Sequence, residues 1–102
     1  MKTYNKLVRD RIPEIIEASG HKCETRILND DEYLIELKNK IQEEVNEFIE
    51  SGSVEELADI LEVVHSLSAQ FGTSIESVEE MRSDKANERG GFEEKIFLKT
   101  VE

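Results

Sequence analysis

The chain has 102 residues, 37% hydrophobic and 36% charged, with a formal net charge of −11. That length fits one domain, residues 1–102, with a core only just large enough to stand alone, so self-association is expected. The acidic balance excludes a nucleic-acid footprint, because its field repels a phosphate backbone. No apolar run approaches the roughly 20 residues of a membrane helix, so no membrane partner is expected. No apolar h-region follows the first basic residues, which argues against a secretory signal. The single cysteine, Cys23, has no internal disulfide partner, which matches a reducing, cytoplasmic setting. Charge is uneven along the chain: residues 29–81 hold two Lys/Arg against fifteen Asp/Glu, while the flanks are neutral or slightly basic. An acidic middle suits cations, or solubility alone.

In chain order, "RDRIPEIIEASG" predicts a short helix over 11–19, with Asp10 as N-cap, Pro13 in its first turn and Gly20 as its stop. "HKCETRIL" alternates and is expected to be extended, a short strand over 22–28. A second helix starts at Asn29 or Asp30 and ends at "SGS", 51–53. Stepping about 100° per residue from Leu37, its apolar stripe of Leu34, Ile41, Val45 and Phe48 falls between about 20° and 80°. Glu44 and Glu47 fall at about −20° and −80°, along one edge of that stripe.

A third helix begins after Ser53, where "SVEE" fits a capping box with Glu56 at N3, and Gly72 stops it. Its stripe is Leu57, Ile60, Leu61, Val64, Leu67 and Phe71. Glu56 and Asp59 share one flank, at about −100° and −160° from Leu57. "TSIE" offers another capping box, opening a fourth helix over 74–88 that "RGG" ends. "FEEKIFLKTV" then predicts a terminal strand able to pair with residues 22–28. The expected fold is all-α, four helices in a bundle, with a minor two-stranded β element near the C-terminus. His65 and Cys23 are expected to be packed, and Tyr4, Tyr33, Phe92 and Phe97 to fill the core.

Two helices joined by a tight turn are antiparallel neighbours. Each carries an acidic pair at i, i+3, Glu44 with Glu47 and Glu56 with Asp59, and each pair lies on one side of its helix. Across a hairpin the two pairs converge. Four unpaired carboxylates in a partly dry site repel one another, and a hard divalent cation with oxygen ligands relieves them. The competing reading is a solvated acidic face, with Glu56 as an ordinary capping residue. A plain calcium buffer is a weak rival, because no EF-hand loop of the D-x-D-x-D-G type is present.

The pattern "EEVNE" (43–47) followed by "ELAD" (56–59) resembles the all-α nucleoside triphosphate pyrophosphohydrolases, the MazG-like superfamily with its phosphoribosyl-ATP and dCTP pyrophosphatase relatives. "YNKLVRDRIPEIIEASG" (4–20), "LADILEVVHSL" (57–67) and "ERGGFEEKIFL" (88–98) are similar to a small subgroup of it, so the resemblance spans nearly the whole chain. One departure is the spacer of eight residues, 48–55, shorter than is usual there. The resemblance implies Mg²⁺-dependent hydrolysis of a nucleoside triphosphate to the monophosphate and pyrophosphate. It implies metal ligands Glu44, Glu47, Glu56 and Asp59, with Glu43 as an orienting group or base. It also implies a homodimer or dimer of dimers.

A phosphate contact is expected from Lys40, one turn before Glu44, and the resemblance implies others from Lys85 and Arg89 on the fourth helix, for which salt bridging is the competing role. Arg9, in the basic cluster "NKLVRDRI", is a further candidate in its own subunit or a neighbour's. Two alternatives stand beside this reading: a phosphoribosyl-ATP pyrophosphohydrolase-type activity, and a non-catalytic acidic helical interaction module.

Overall fold

A computed structural model of the protein describes residues 2–102, which form four helices: α1 (Ile12–Ala18), α2 (Asp30–Ser51), α3 (Val54–Gln70) and α4 (Ile75–Arg89). The all-α, four-helix expectation holds. The β element does not form: among the described residues no strand occurs. Residues 22–28 and 92–101 run unpaired, with Ile27, Phe92, Ile96 and Phe97 all more than four-fifths exposed. A strand needs a partner and a covered face, and two short strands alone are marginal in water.

α2 is the longest element, and Asn29 starts it. The Asn29 side chain accepts from the Glu32 N–H at 2.9 Å, and the Glu32 carboxylate accepts from the Asn29 N–H at 3.2 Å. This reciprocal capping box was not anticipated, because Asn replaces the usual Ser or Thr. Arg26 locks it by donating to both Glu32 oxygens at 3.1 and 2.8 Å. Asp30, Asp31 and Glu32 fill the first turn, where the helix dipole favours negative charge. α2 ends at Gly52, whose φ of 64° places it in the left-handed region and whose N–H donates to the Phe48 carbonyl at 2.8 Å.

Only Gly52 and Ser53 separate α2 from α3, so the two helices fold back as a hairpin, the main packing contact of the chain. Ser53 accepts from the Glu55 N–H, so the expected capping box through Glu56 is absent. The Glu56 carboxylate is turned into the acidic cluster instead. α4 is capped by Ser74, which accepts from Ser77 N–H, one residue later than the "TSIE" box places it. α1 is capped by no side chain; Asp10 does not take that role, and Arg11 stands at the N-cap.

The core is thin and lies between α2 and α3, where Leu37 and Val63 are the buried apolar side chains. Val63 lies outside the stripe expected for α3, whereas Leu57, Leu61 and Phe71 of that stripe are about half exposed or more. α3 is apolar on more than one side and has only α2 and a short contact with α4 to cover it. His65 and Cys23 are exposed rather than packed. Of the four aromatics expected in the core, Tyr33 is half-buried and Tyr4, Phe92 and Phe97 are exposed. No helix among the described residues is long and apolar enough to cross a membrane.

Candidate metal centre

The hairpin brings the acidic pairs together. Carboxylate oxygens of Glu44, Glu56 and Asp59 all lie within 4.8 Å of one another. Glu44 is buried, 8% exposed, and its Oε2 atom has no hydrogen-bond partner. A buried orphan acceptor is costly unless something completes it. Glu47, the fourth expected ligand, is exposed and outside this trio, yet near enough that its charge acts on both Glu44 and Glu56.

The electrostatics follow from crowding. Burial pushes the Glu44 carboxyl above its ordinary value, Glu47 and Asp59 push it further, and Lys40 opposes them. Glu56 is raised by desolvation first, then by Glu47 and Asp59. Glu43 goes the other way. Desolvation acts to raise it, but the ammonium groups of Lys40 and Lys6 prevail and hold it below the ordinary range.

Cations border the cluster. Lys40 Nζ stands 3.2 Å from Glu43 Oε2 and 3.6 Å from Glu44 Oε1, as one helical turn allows. Arg9 Nη2 donates to Asp59 Oδ1 at 2.8 Å, and Lys6 Nζ donates to Glu43 Oε1 at 3.3 Å. The Lys6 contact escaped sequence reasoning. "NKLVRDRI" reads as a basic cluster, but no local spacing ties residue 6 to a helix 37 positions downstream. Lys85 and Arg89 line neither cavity of this region and make no ion pair among the described residues.

A cavity of about 290 Å³ opens on this cluster, with Lys6, Arg9, Lys40, Glu44 and Asp59 in its wall. A second, of about 400 Å³, shares Arg9, Lys40, Glu44 and Asp59 and adds Tyr33, Leu37, Val63 and Ser66. The two cavities therefore share two carboxylates and two cations, with Lys6 added in the first and an apolar, partly aromatic wall in the second. The donor set is all oxygen and one oxygen of its buried member lacks a partner, which fits a hard cation such as Mg²⁺.

The fold and site thus define an all-helical chain with a carboxylate cluster bordered by lysine and arginine. Compared with known proteins, the chain is 57% identical over 42 residues to an uncharacterized protein of Mycolicibacterium smegmatis (strain ATCC 700084 / mc(2)155). The match covers 41% of this chain and 43% of that protein, so the chain spans less than half of its relative's length. No family model and no solved structure matches the chain.

Proposed function

We propose that the protein is a Mg²⁺-dependent nucleotide pyrophosphohydrolase, releasing pyrophosphate from a nucleoside triphosphate by attack of water at the α-phosphorus. The observation that carries this reading is the buried Glu44 with its unpartnered oxygen, set within 4.8 Å of Glu56 and Asp59 in a cavity that Lys6, Arg9 and Lys40 also line. Carboxylates alone suit a cation; carboxylates beside cations suit a cation together with a polyphosphate.

Glu44, Glu56 and Asp59 hold the metal in this reading, with Glu47 completing the set from the rim. Bound there, Mg²⁺ supplies positive charge to phosphate oxygens and acidifies a water. Glu43 holds Lys40 and Lys6 through its two oxygens, which makes orientation of these lysines its best-supported role. Lys40 meets the phosphates from within α2. The 400 Å³ cavity has the size of a small-molecule site and offers Tyr33 and Leu37 to the nucleoside. Lys85 and Arg89 would take part from a second copy of the chain. Such a copy would cover the apolar side chains left exposed on the helices and at their ends, among them Ile49, Leu61, Phe71 and Met81.

The test is pyrophosphate release from a panel of canonical and modified nucleoside triphosphates, with Mg²⁺ and with a chelator. Release that needs Mg²⁺ and disappears in Glu44→Ala and Asp59→Ala supports the reading. Folded variants and wild type equally inert on every nucleotide, and equally indifferent to Mg²⁺, would overturn it in favour of an acidic interaction module.

A further inference from the structure

The N-terminal segment, residues 3–11, lies outside every helix, yet it delivers two of the three cations at the carboxylate cluster. Arg9 reaches Asp59 across 50 residues of sequence, and Lys6 reaches Glu43 across 37. The Arg9 carbonyl accepts from Ile12 N–H at 3.0 Å, which ties the segment to the start of α1. Asn5 has a φ of 44°, a turn that asparagine tolerates, just before Lys6.

These ion pairs raise a conflict. Asp59 belongs to the trio whose oxygens converge within 4.8 Å, and Arg9 already occupies one of its oxygens. A carboxylate cannot give full charge to a guanidinium and to a divalent cation at once. A dication beside Asp59 also repels Arg9 directly. The Arg9 and Lys6 side chains are 57% and 43% exposed, so their pairs are weak and easily exchanged. A polyphosphate bound to the dication resolves the conflict, because its oxygens give the displaced cations new partners at the same place.

We propose that residues 3–11 form a phosphate clamp. Arg9 rests on Asp59 in the metal-free chain and passes to the oxygens of a polyphosphate when a divalent cation takes that carboxylate, while Lys6, oriented by Glu43, meets the same polyphosphate. The clamp rests on the metal-centre reading, adds Lys6 to the substrate contacts and makes Arg9 an antagonist of the metal until phosphate arrives. Its signature is one substitution that weakens polyphosphate binding without weakening metal binding.

The experiment is calorimetric titration of the full chain with Mn²⁺ alone and with magnesium tripolyphosphate, for wild type, Arg9→Ala, Arg9→Gln and Lys6→Ala. Arg82→Ala serves as a charge-matched control, since Arg82 pairs only with Glu79 on its own helix. Circular dichroism checks the fold of each variant. Arg9→Ala and Arg9→Gln are expected to bind Mn²⁺ as tightly as wild type or more tightly, and magnesium tripolyphosphate roughly tenfold more weakly. Lys6→Ala follows the same pattern to a lesser degree, and Arg82→Ala changes neither ligand. Mn²⁺ binding with unchanged tripolyphosphate affinity in the Arg9 variants overturns the clamp and leaves the metal centre standing. Both ligands weakening together in those variants also overturns it. Wild type that binds no Mn²⁺ removes the metal centre and the clamp with it.

Discussion

At the scale of the residue, Glu44 carries most of the consequence. Its folded-state carboxyl lies above the ordinary value, as does that of Glu56. Over the range just above the ordinary carboxylate value these two groups therefore bind more protons in the folded chain than in the unfolded one. Without metal, their contribution to stability falls as pH rises through that range. Ligation needs ionised carboxylates, so on the proposed metal centre Mg²⁺ is expected to release protons there and to raise the melting temperature more steeply over the same interval. Scanning melting temperature against pH with and without Mg²⁺ checks both signs. Glu44→Gln removes a buried like charge: it is expected to raise the metal-free melting temperature by a few degrees and to abolish the Mg²⁺ response. Turnover should fall at least about a hundredfold, since even groups that only orient a ligand often cost 10–100-fold when lost.

At the scale of the element, the hairpin depends on its two ends. Asn29→Ala removes a reciprocal cap and is expected to cost about 1 kcal/mol in denaturant unfolding. Glu32, in the same box, is held down to about 2, first by the Arg26 side chain and then by the Asn29 N–H. Its contribution is present above the ordinary carboxylate value and is lost as pH falls toward about 2, so the difference between wild type and Glu32→Gln should vanish on acidification. Gly52→Ala meets open space at its Cβ, so its penalty comes from the positive φ alone, about 1 kcal/mol.

Much of α2 and α3 was legible in advance, because helix ends, the connecting turn and the i, i+3 acid pairs are local patterns. The convergence of Glu44, Glu56 and Asp59 follows from those patterns and a two-residue connection. The Arg9–Asp59 and Lys6–Glu43 pairs were not legible, since nothing local links a segment without helix to a face 37 or 50 residues away. The strands failed for the same reason: the alternation at 22–28 and the apolar residues of 92–101 report a capacity to pair, and pairing needs a neighbour.

At the scale of the whole molecule, the single chain measures 60 × 32 × 25 Å, with a radius of gyration of 18.0 Å. A compact domain of this length has one near 13 Å. Exposed Ile49, Leu61, Phe71 and Met81 on the helices and at their ends, and Ile96, Phe97 and Leu98 beyond them, go uncovered in one chain. Sedimentation is expected to find a dimer or larger assembly at micromolar concentration. Leu61→Glu should shift it toward monomer and lower the melting temperature, making stability depend on protein concentration less steeply.

The two-residue link at Gly52–Ser53 also bears on the order of assembly. Glu44 and Glu56 are only twelve positions apart, so their carboxylates meet as soon as the hairpin closes, a fast, low-contact-order event. The relieving cations on residues 6 and 9 come from far along the chain and arrive later. Repulsion is thus felt in the folding transition state with only Lys40, on α2 itself, to offset it. An external dication present during refolding should therefore speed the folding limb more than it slows the unfolding limb.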